Sequence, residues 1–411
     1  MTRVVITGIG AVTPLGSSVA EFIAGLRQQR VGFRPISTFD PSATGVSLAG
    51  EAAGFDPLIR LRKKDLKRMD RFSQFAVYSA LEAFEQAGLT ENAPDPEAFG
   101  VIYGSGIGGL TTIQEQVIRM HDLGDDRVSP MFVPNSIANM ASGNLAIHFN
   151  AQNVCMTIVT ACSSGANAIG EAFRVIQSGR ADVMLTGGSE ASINEIGISG
   201  FAALSTLSKS TDPTKASLPF DKNRNGFVMG EGAGTLVLES LEHAQARGAH
   251  ILGELVGYGA TEDAYHITSP DPAGTQAARA MKLAIKEAGL QTEQVGYINA
   301  HGTATGANDS AESTAINQLF GDASSVLVSS SKSMTGHLLG AAGAIEAIAT
   351  ATALSDGQLP VNVGITEQDP ACPVNLVTED NAETQVDYAI SNSFGFGGHN
   401  AVLAFKKWSD D

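Results

Sequence analysis

The sequence predicts an α/β fold made of parallel sheets that helices cover on both faces. Apolar, β-branched runs of strand length alternate with helical patterns along the chain, as in proteins built from parallel strands and crossover helices. A Gly-rich turn followed by a strand occurs at residues 226–238 and again at residues 393–405, which indicates an internal duplication. We therefore predict two halves, residues 1–250 and residues 251–411. No linker or low-complexity stretch separates the halves, so we expect them to pack as one body.

The individual elements are predicted from the spacing of apolar residues. In the first half, strands are predicted at the start of the chain and at residues 99–103, 154–161, 181–190 and 230–238, and a helix through Arg247 follows the last of them. In the second half, strands are predicted at residues 251–259, 295–301 and 326–330, with helices from about Ser310 and over residues 340–354.

Two Gly-rich stretches imitate nucleotide-binding motifs. Residues 8–10 (GIG) begin like a dinucleotide fingerprint, but Thr13 takes the place of the third glycine and Pro14 follows at once. We interpret this stretch as a turn after an edge strand. Residues 104–109 follow a predicted strand and lack the lysine of a P-loop, so they are predicted to form a close-packed turn that lines a cavity.

Composition excludes several classes of function. The net charge of −17 argues against nucleic acid and against an anionic membrane surface as partners. No apolar run reaches transmembrane length, and the run at the chain start is too short for a signal peptide. The three cysteines, Cys155, Cys162 and Cys372, have no metal-like spacing and make no disulfide framework, so we expect a reducing, cytoplasmic location.

One strongly basic segment interrupts this acidic background. Residues 60–71 contain seven of the chain's 26 Lys and Arg residues. A charge run of this kind is usually a solvated helix face. On an acidic protein it is also suited to steering and holding an acidic partner, and the residues alone leave both interpretations open.

The stretch from Val154 to Gly179 contains the first candidate for a reactive group. Its apolar residues up to Ala161 predict a buried strand, and apolar residues at helical spacing after Cys162 predict a helix that ends at Gly179. Cys162 is thus predicted at a tight strand-to-helix turn, similar to the nucleophile elbow of serine hydrolases. Unpaired amides and the helix dipole favour a thiolate at that position. The alternative is a buried structural cysteine, which is the commoner fate of a free thiol.

Two stretches of the second half carry further reactive side chains near the ends of predicted strands. His301 follows one strand, and Lys332 and His337 lie five residues apart, just before a helix. Strand C-termini are where open α/β sheets build their sites. Each His alone would be an ordinary hydrogen-bonded residue, but the two together with a Lys and Cys162 indicate catalysis. A zinc site is possible in principle, although the spacing lacks a compact ligand motif.

Taken together, these stretches resemble the β-ketoacyl-acyl-carrier-protein synthases of the thiolase-like superfamily, and the type II condensing enzymes in particular. The resemblance runs from Arg3 to Lys407. Its markers are TACSSG at 160–165, FDKNRNGF at 220–227, NAHGT at 299–303, KSMTGHLLGAAG at 332–343 and NSFGFGG at 392–398. Two positions depart from the common pattern: Gly306, where Pro is usual, and His399, where Thr is frequent. Neither position carries a reacting group.

The resemblance implies a thiolase-like, five-layer αβαβα fold in a homodimer and a reaction in two stages. An acyl group is transferred to Cys162, and malonyl carrier protein is then decarboxylated and condensed with that acyl group. The product is a fatty acid lengthened by two carbons or, in a polyketide-type ketosynthase, a longer polyketide chain. The implied partners are acyl carrier protein and its acyl and malonyl thioesters. No cofactor is implied beyond the phosphopantetheine that arrives on the carrier.

The resemblance also implies roles for single residues. Cys162 is the nucleophile, and His301 and His337 stabilise the enolate as neutral imidazoles. Lys332, paired with Glu346, orients His301, and the backbone N–H groups of Cys162 and Phe396 form an oxyanion hole. The remaining assignments are Thr303 and Thr305 for pantetheine, Ile107, Phe201 and Phe394 for the substrate pocket, Lys64, Lys67 and Arg68 for the carrier protein, and no residue for a metal.

Three alternatives are weighed against this interpretation. A non-catalytic chain-length partner of the same fold would lack the nucleophile, and Cys162 argues against it. A CoA-dependent thiolase would carry a second catalytic Cys in the last Gly-rich stretch, which has none, because Cys372 lies outside it. A papain-type hydrolase would need no Lys–His pair, and a thioesterase assay without malonyl substrate would distinguish it.

Overall fold

The computed structural model describes residues 2–321 and 325–409. The strands in these ranges are β1 (Val4–Val12), β2 (Arg34–Pro35), β3 (Leu48–Ala49), β4 (Phe99–Gly104), β5 (Cys155–Ile158), β6 (Val183–Glu190), β7 (Gly232–Ser240), β8 (Gly253–Glu262), β9 (Tyr297–Asn299), β10 (Leu327–Ser329), β11 (Asn375–Leu376), β12 (Tyr388–Gly395) and β13 (His399–Lys406). The helices are α1 (Val19–Arg27), α2 (Lys63–Leu66), α3 (Arg71–Gln86), α4 (Leu110–Leu123), α5 (Phe132–Ser136), α6 (Met140–Phe149), α7 (Ser164–Gln177), α8 (Glu195–Ala203), α9 (Leu241–Ala246), α10 (Thr275–Glu287), α11 (Gly306–Phe320), α12 (Lys332–Thr335) and α13 (Ala342–Asp356).

One large sheet contains the same arrangement of strands twice. Its order is β11-β10-β9-β12-β13-β8-β1-β7-β6-β4-β5. Read outward from the centre, β1-β7-β6-β4-β5 of the first half corresponds to β8-β13-β12-β9-β10 of the second. In both series the first two pairings are antiparallel and the next two are parallel. The predicted duplication is therefore confirmed. The prediction of parallel sheets is wrong for the central strands, because a short connection such as that between β12 and β13 can only make an antiparallel hairpin.

Helices divide the two half-sheets into separate layers. Within the described strands, the half-sheets are joined where Val4–Ile6 pairs with Gly253–Leu255. On the outer faces, α3 packs against β1 and β7, and α10 packs against β8 and β13. Between the half-sheets, α7 and α13 contact each other, and most of their side chains are buried. The result is the αβαβα arrangement that the resemblance implied.

The glycines at residues 8–10 belong to the centre of the sheet. They lie inside β1, so the interpretation of this stretch as a turn after an edge strand is wrong. A Cβ atom on Gly10 would lie 1.9 Å from the Ser79 carbonyl oxygen, and one on Gly8 would lie 2.1 Å from that of Ala83. The glycines thus allow α3 to approach β1 closely, which accounts for a Gly-rich motif without a nucleotide.

The strand before Cys162 is an edge strand and is only partly buried. β5 pairs with β4 alone, and Cys155 and Met156 at its start are exposed. The prediction of a buried strand over residues 154–161 is therefore wrong in burial and too long, because an apolar composition does not reveal whether a strand lies at an edge.

The helix predicted from Ser310 begins earlier. α11 starts at Gly306, because the hydroxyl of Thr305 accepts a hydrogen bond from the Asn308 N–H at 3.3 Å and caps the first turn. Across the two described ranges, no helix has the length and apolar character required to cross a membrane.

Candidate active site

The nucleophile candidate lies in a strained turn between β5 and α7. Ala161–Ser163 form a short 3-10 turn, and Ala161 has a φ of 51°, in the left-handed region that few residues other than glycine adopt. This conformation points Cys162 into the protein, where its side chain is 6% exposed. The predicted strand-to-helix elbow is thus present.

The environment of the Cys162 sulfur combines opposing influences on its pKa. Burial is the largest of them and raises the pKa of the thiol to about 12. The ammonium of Lys332 and a hydrogen bond from the Phe396 N–H act in the other direction. Burial thus favours the thiol form and opposes the thiolate that was expected at the helix N-terminus, and that thiolate stays a prediction.

Two histidines face each other beside the cysteine. His301 follows β9 and His337 follows α12, and their ring centroids are 5.2 Å apart at an interplanar angle of 84°. Burial, assisted by the charge of Lys332, lowers the pKa of both imidazoles well below the ordinary value. Both rings are therefore neutral, and each can donate one N–H. In the described ranges neither nitrogen of His337 has a hydrogen-bond partner, so this ring is free to bind a substrate atom.

Lys332 connects His301 to the buried helix α13. Its Nζ donates to the His301 carbonyl oxygen at 2.6 Å and lies 3.4 Å from His301 Nδ1. It also forms a salt bridge with Glu346 of α13, and both side chains are buried. Burial raises the pKa of Glu346 to about 7, against the opposing charge of Lys332. The ammonium therefore fixes both the backbone and the ring of His301.

Two buried carboxylates that the sequence analysis did not identify hold the His301 turn. Glu312 accepts hydrogen bonds from the N–H groups of His301 and Gly302, both at 2.8 Å. Asp309 accepts one from Ala304 N–H at 3.2 Å, and burial raises the pKa of this carboxyl to about 6. Their spacing of three residues on α11, directly after the NAHGT motif, was the available indication of a shared buried face.

One cavity brings most of the predicted residues together. It has a volume of about 210 Å³ and reaches the surface between the loops that follow the strands. The predicted residues that line it are Cys162, His301, His337, Phe201, Thr303, Thr305, Phe394 and Phe396. The hydroxyls of Thr303 and Thr305 lie 2.9 Å apart. Lys332 lies behind His301 and does not line the cavity.

Ile107 lies beyond the cavity and does not line it. It packs, half-buried, against an apolar cluster that also contains Cys162, Ile193, Ile198 and Leu339. The space on the far side of the nucleophile is therefore filled by side chains in this structure. An acyl chain that extends past Cys162 has to displace part of this cluster.

The predicted carrier-binding residues lie on a separate surface. Lys64, Lys67 and Arg68 are exposed around α2. Arg60, Arg62 and Arg71 of the same run form salt bridges with Glu85, Asp65 and Glu231, respectively. Among the described residues, no acidic side chain pairs with Lys64, Lys67 or Arg68, so their charges are available to another molecule.

The described part of the chain contains no group of three or more His, Cys, Asp or Glu side chains that could hold a metal ion. The carboxylates nearest to His301 and Lys332, those of Glu312 and Glu346, instead bind the His301 N–H and the Lys332 ammonium.

Comparison with known proteins identifies the family. Residues 1–244 match the beta-ketoacyl synthase N-terminal domain, and residues 252–366 match the beta-ketoacyl synthase C-terminal domain. A 3-oxoacyl-[acyl-carrier-protein] synthase 2 from Synechocystis is 49% identical over 408 residues, which are 99% of this chain and 98% of the relative. The protein of the same name from Staphylococcus aureus is 47% identical over 407 residues, with the same coverage.

Solved structures agree with the sequence relatives. A beta-ketoacyl synthase from Burkholderia phymatum superposes with a TM-score of 0.92 at 34% identity and covers 100% of both chains. The ishigamide ketosynthase/chain length factor superposes with a TM-score of 0.93 at 36% identity, covering 99% of this chain and 100% of the other. The elbow cysteine, the paired histidines and these matches over nearly the whole length lead to one conclusion: the chain belongs to the beta-ketoacyl synthase family.

Proposed function

We propose that this protein is a 3-oxoacyl-[acyl-carrier-protein] synthase that lengthens fatty acids by two carbons. The observation that carries the proposal is the single cavity in which a buried thiol, Cys162, meets two neutral imidazoles, His301 and His337. A thiol can hold an acyl group as a thioester, and two neutral N–H donors can stabilise an enolate.

In the first stage Cys162 takes the acyl group from its carrier. The sulfur attacks the carbonyl carbon of the acyl thioester, the carrier sulfur leaves, and the proton of the Cys162 thiol ends on the departing carrier thiol. The oxyanion formed during attack needs donors close to the sulfur. The Phe396 N–H, which already donates to Cys162, supplies one, and the Cys162 N–H in the turn before α7 supplies the other.

In the second stage malonyl carrier protein enters the same cavity. Loss of carbon dioxide leaves the electron pair of the broken C–C bond as an enolate, whose oxygen accepts hydrogen bonds from His301 and His337. The enolate carbon then attacks the acyl group on Cys162, the sulfur leaves as a thiolate, and a proton from solvent restores the thiol. Neutral imidazoles suit this step, because they stabilise the oxygen without supplying an acidic proton to the carbanion. Lys332 acts here as a positioning residue for His301.

The walls of the cavity suit a pantetheine arm. We assign Thr303 and Thr305, whose hydroxyls lie on one wall, to hydrogen bonds with its amides, and Phe201 and Phe394 to contact with the apolar part of the substrate. Ile107 is assigned to the acyl side. The enzyme is proposed to need no cofactor of its own, because the phosphopantetheine arrives on the carrier.

The proposed protein partner is acyl carrier protein. A solved relative, 31% identical with a TM-score of 0.91, is described as a type II polyketide synthase acyl-carrier protein in complex with its ketosynthase. In this chain the exposed and unpaired Lys64, Lys67 and Arg68 are the basic surface that we assign to an acidic carrier. A cytoplasmic location remains a prediction from the three unpaired cysteines.

We also propose that the protein forms a homodimer through the edge of the sheet at β5. None of the described strands lies on the outer side of β5, and large apolar side chains are exposed on the neighbouring elements: Val117, Ile118 and Leu123 on α4, Val133 on α5 and Ile147 on α6. An unpaired edge with such a surface favours pairing with a second copy. Sedimentation should give twice the monomer mass, and Ile147→Glu should lower it. A wild-type monomer at micromolar concentration would contradict this arrangement.

Elongation with malonyl carrier protein tests the whole proposal. Acyl carriers of graded length are supplied with malonyl carrier, and the β-ketoacyl product is measured by mass spectrometry. Cys162→Ala is the matched control and should form no product. A polyketide-type ketosynthase is the second candidate, since one structural neighbour is described as a type II polyketide synthase complex, although at 31% identity against 47–49% for the 3-oxoacyl-[acyl-carrier-protein] synthases. Repeated extension without reduction of the product would favour that candidate.

A further inference from the structure

Glu190 is a buried carboxylate that none of the roles above uses. It is the last residue of β6 and has no exposed surface. Its Oε2 accepts hydrogen bonds from Gly106 N–H at 2.7 Å and from Gly340 N–H at 3.1 Å, and its Oε1 accepts one from Ile107 N–H at 3.2 Å. Among the described residues, no Lys, Arg or His side chain pairs with it. Three backbone N–H groups therefore compensate most of its charge, and the Ser192 hydroxyl also donates to Oε1 at 3.4 Å.

The two turns that meet at Glu190 leave little free space. A Cβ atom on Gly106 would lie 2.6 Å from Glu190 Oε2, and one on Gly340 would lie 2.2 Å from Gly106 N. The backbone contact requires glycine at residue 340, and a Cβ atom at residue 106 would displace the carboxylate. Residues 104–109 and 338–341 are thus packed onto the carboxylate from two sides, and the three N–H groups point towards it.

A buried carboxylate without a cation is unfavourable unless several donors surround it. Burial raises the pKa of Glu190 to about 7, and the N–H groups of Gly106, Gly340 and Ile107 act against that rise. A neutral side chain in its place would leave at least one of these N–H groups without an acceptor. The arrangement therefore serves to fix the backbone of the turn rather than to fill the core.

We propose that Glu190 is a positioning residue that fixes the Ile107 turn and thereby sets which acyl chain lengths the enzyme accepts. The inference rests on the proposed function. Ile107 packs against the apolar cluster that contains Cys162, which we assign to the side where an acyl chain would extend, so a long chain has to displace it. With its N–H held by Glu190, Ile107 can move only by rotating its side chain. Without that bond the turn can move as a whole.

Glu190→Gln breaks the contact with Ile107 selectively. One amide oxygen can still serve Gly106 and Gly340, but the amide NH₂ then faces the Ile107 N–H, and two donors cannot bond each other. The matched control is Glu82→Gln. Glu82 also accepts two backbone N–H groups, from Ala11 at 3.0 Å and Val19 at 2.9 Å, but it lies on α3, away from the cavity.

The experiment measures kcat/KM for acyl carrier protein primers that carry hexanoyl to hexadecanoyl chains. Each value is divided by the rate of malonyl decarboxylation in the same variant. In Glu190→Gln the ratio between the best and the poorest primer should fall by about tenfold, which corresponds to about 1.4 kcal/mol. Glu82→Gln should keep the wild-type ratio. Once Ile107 is replaced by Ala, adding Glu190→Gln should change the ratio no further.

Several results would overturn the inference. A uniform loss over all primers, an unchanged profile, or an equal effect in the Ile107→Ala background would each show that Glu190 does not act through Ile107. If Glu190→Gln does not fold, Glu190→Asp replaces it, and failure of both to fold means that the carboxylate is only structural. Failure of the proposed function looks different: the wild-type enzyme then forms no β-ketoacyl product from any primer, and the inference falls with it.

Discussion

Replacing Lys332 by methionine should separate the stability of the core from the chemistry of the site. Lys332 and Glu346 are both buried, and Lys332 also donates to the His301 carbonyl oxygen. Removing one partner of a buried pair typically costs about 3–5 kcal/mol, because the other charge remains without compensation. In Lys332→Met we expect a smaller loss at about pH 8, because Glu346 can take up a proton, together with a strong decrease in malonyl decarboxylation.

The pH dependence of the loss follows from Glu346. Its folded pKa of about 7 lies above that of an unfolded carboxyl, so ionisation of Glu346 reduces the stability of the wild type as pH rises towards 7 and has little further effect above it. Without Lys332 the folded pKa rises further, and stability continues to fall above pH 7 by up to about 1.4 kcal/mol per pH unit. The variant should therefore lie closest to the wild type at about pH 6.

Urea unfolding at about pH 6, 7 and 8 measures the stability, and release of labelled carbon dioxide measures the chemistry. The double variant Lys332→Met/Glu346→Met is the control. It should recover most of the stability, because both charges are absent, yet it should not recover decarboxylation. An equal loss of stability at all three pH values would refute the account of Glu346. Restored decarboxylation in the double variant would show that Lys332 does not position His301.

Three further predictions concern other parts of the site. His301→Ala and His337→Ala should still form acyl-enzyme, which mass spectrometry detects. In the wild type the rate of decarboxylation should not fall as pH is lowered through about 6.5, because the lowered pKa values keep both rings neutral. A fall in that rate near pH 6.5 would contradict this. Lys64→Glu/Lys67→Glu should raise KM for carrier-bound substrates but not for acyl-CoA, and this rise in KM should be smaller at high salt. An equal loss of activity with carrier-bound substrates and with acyl-CoA would indicate that the helix is merely solvated. Ile107→Phe should shorten the longest accepted primer, because overpacking costs about 1–3 kcal/mol, and an unchanged length profile would argue against Ile107 at the acyl side.

Those features of the site that depend on residues close to one another in the chain could be predicted from the sequence. The elbow at Cys162 follows from a change of apolar period within a few residues, and His301 follows a strand that its own apolar residues define. The family resemblance supplied what local patterns do not, namely that these segments meet in one cavity. The duplication was also visible, because the Gly-rich turn and strand occur in both halves.

The missed features depend on contacts between distant segments. Glu190 accepts hydrogen bonds from Gly106 and from Gly340, which lie 84 and 150 positions away in the sequence. Gly10 is required by the carbonyl of Ser79, and β5 is partly exposed because only β4 lies beside it. The pKa of Cys162 likewise depends on burial by both halves. None of these properties leaves a pattern in the neighbouring residues.

The division of the fold into two halves also determines when the site can exist during synthesis. Cys162 lies in the first half, whereas His301 and Phe396 belong to the second, and the hydroxyl of Ser163 donates to the carbonyl oxygens of Ser393 and His399. When only the first half has been synthesised, the Cys162 thiol therefore lacks both the Phe396 N–H and the imidazoles of His301 and His337. Contacts over more than two hundred residues form late and slow folding. The catalytic arrangement is therefore complete only once the last strands of the chain have docked.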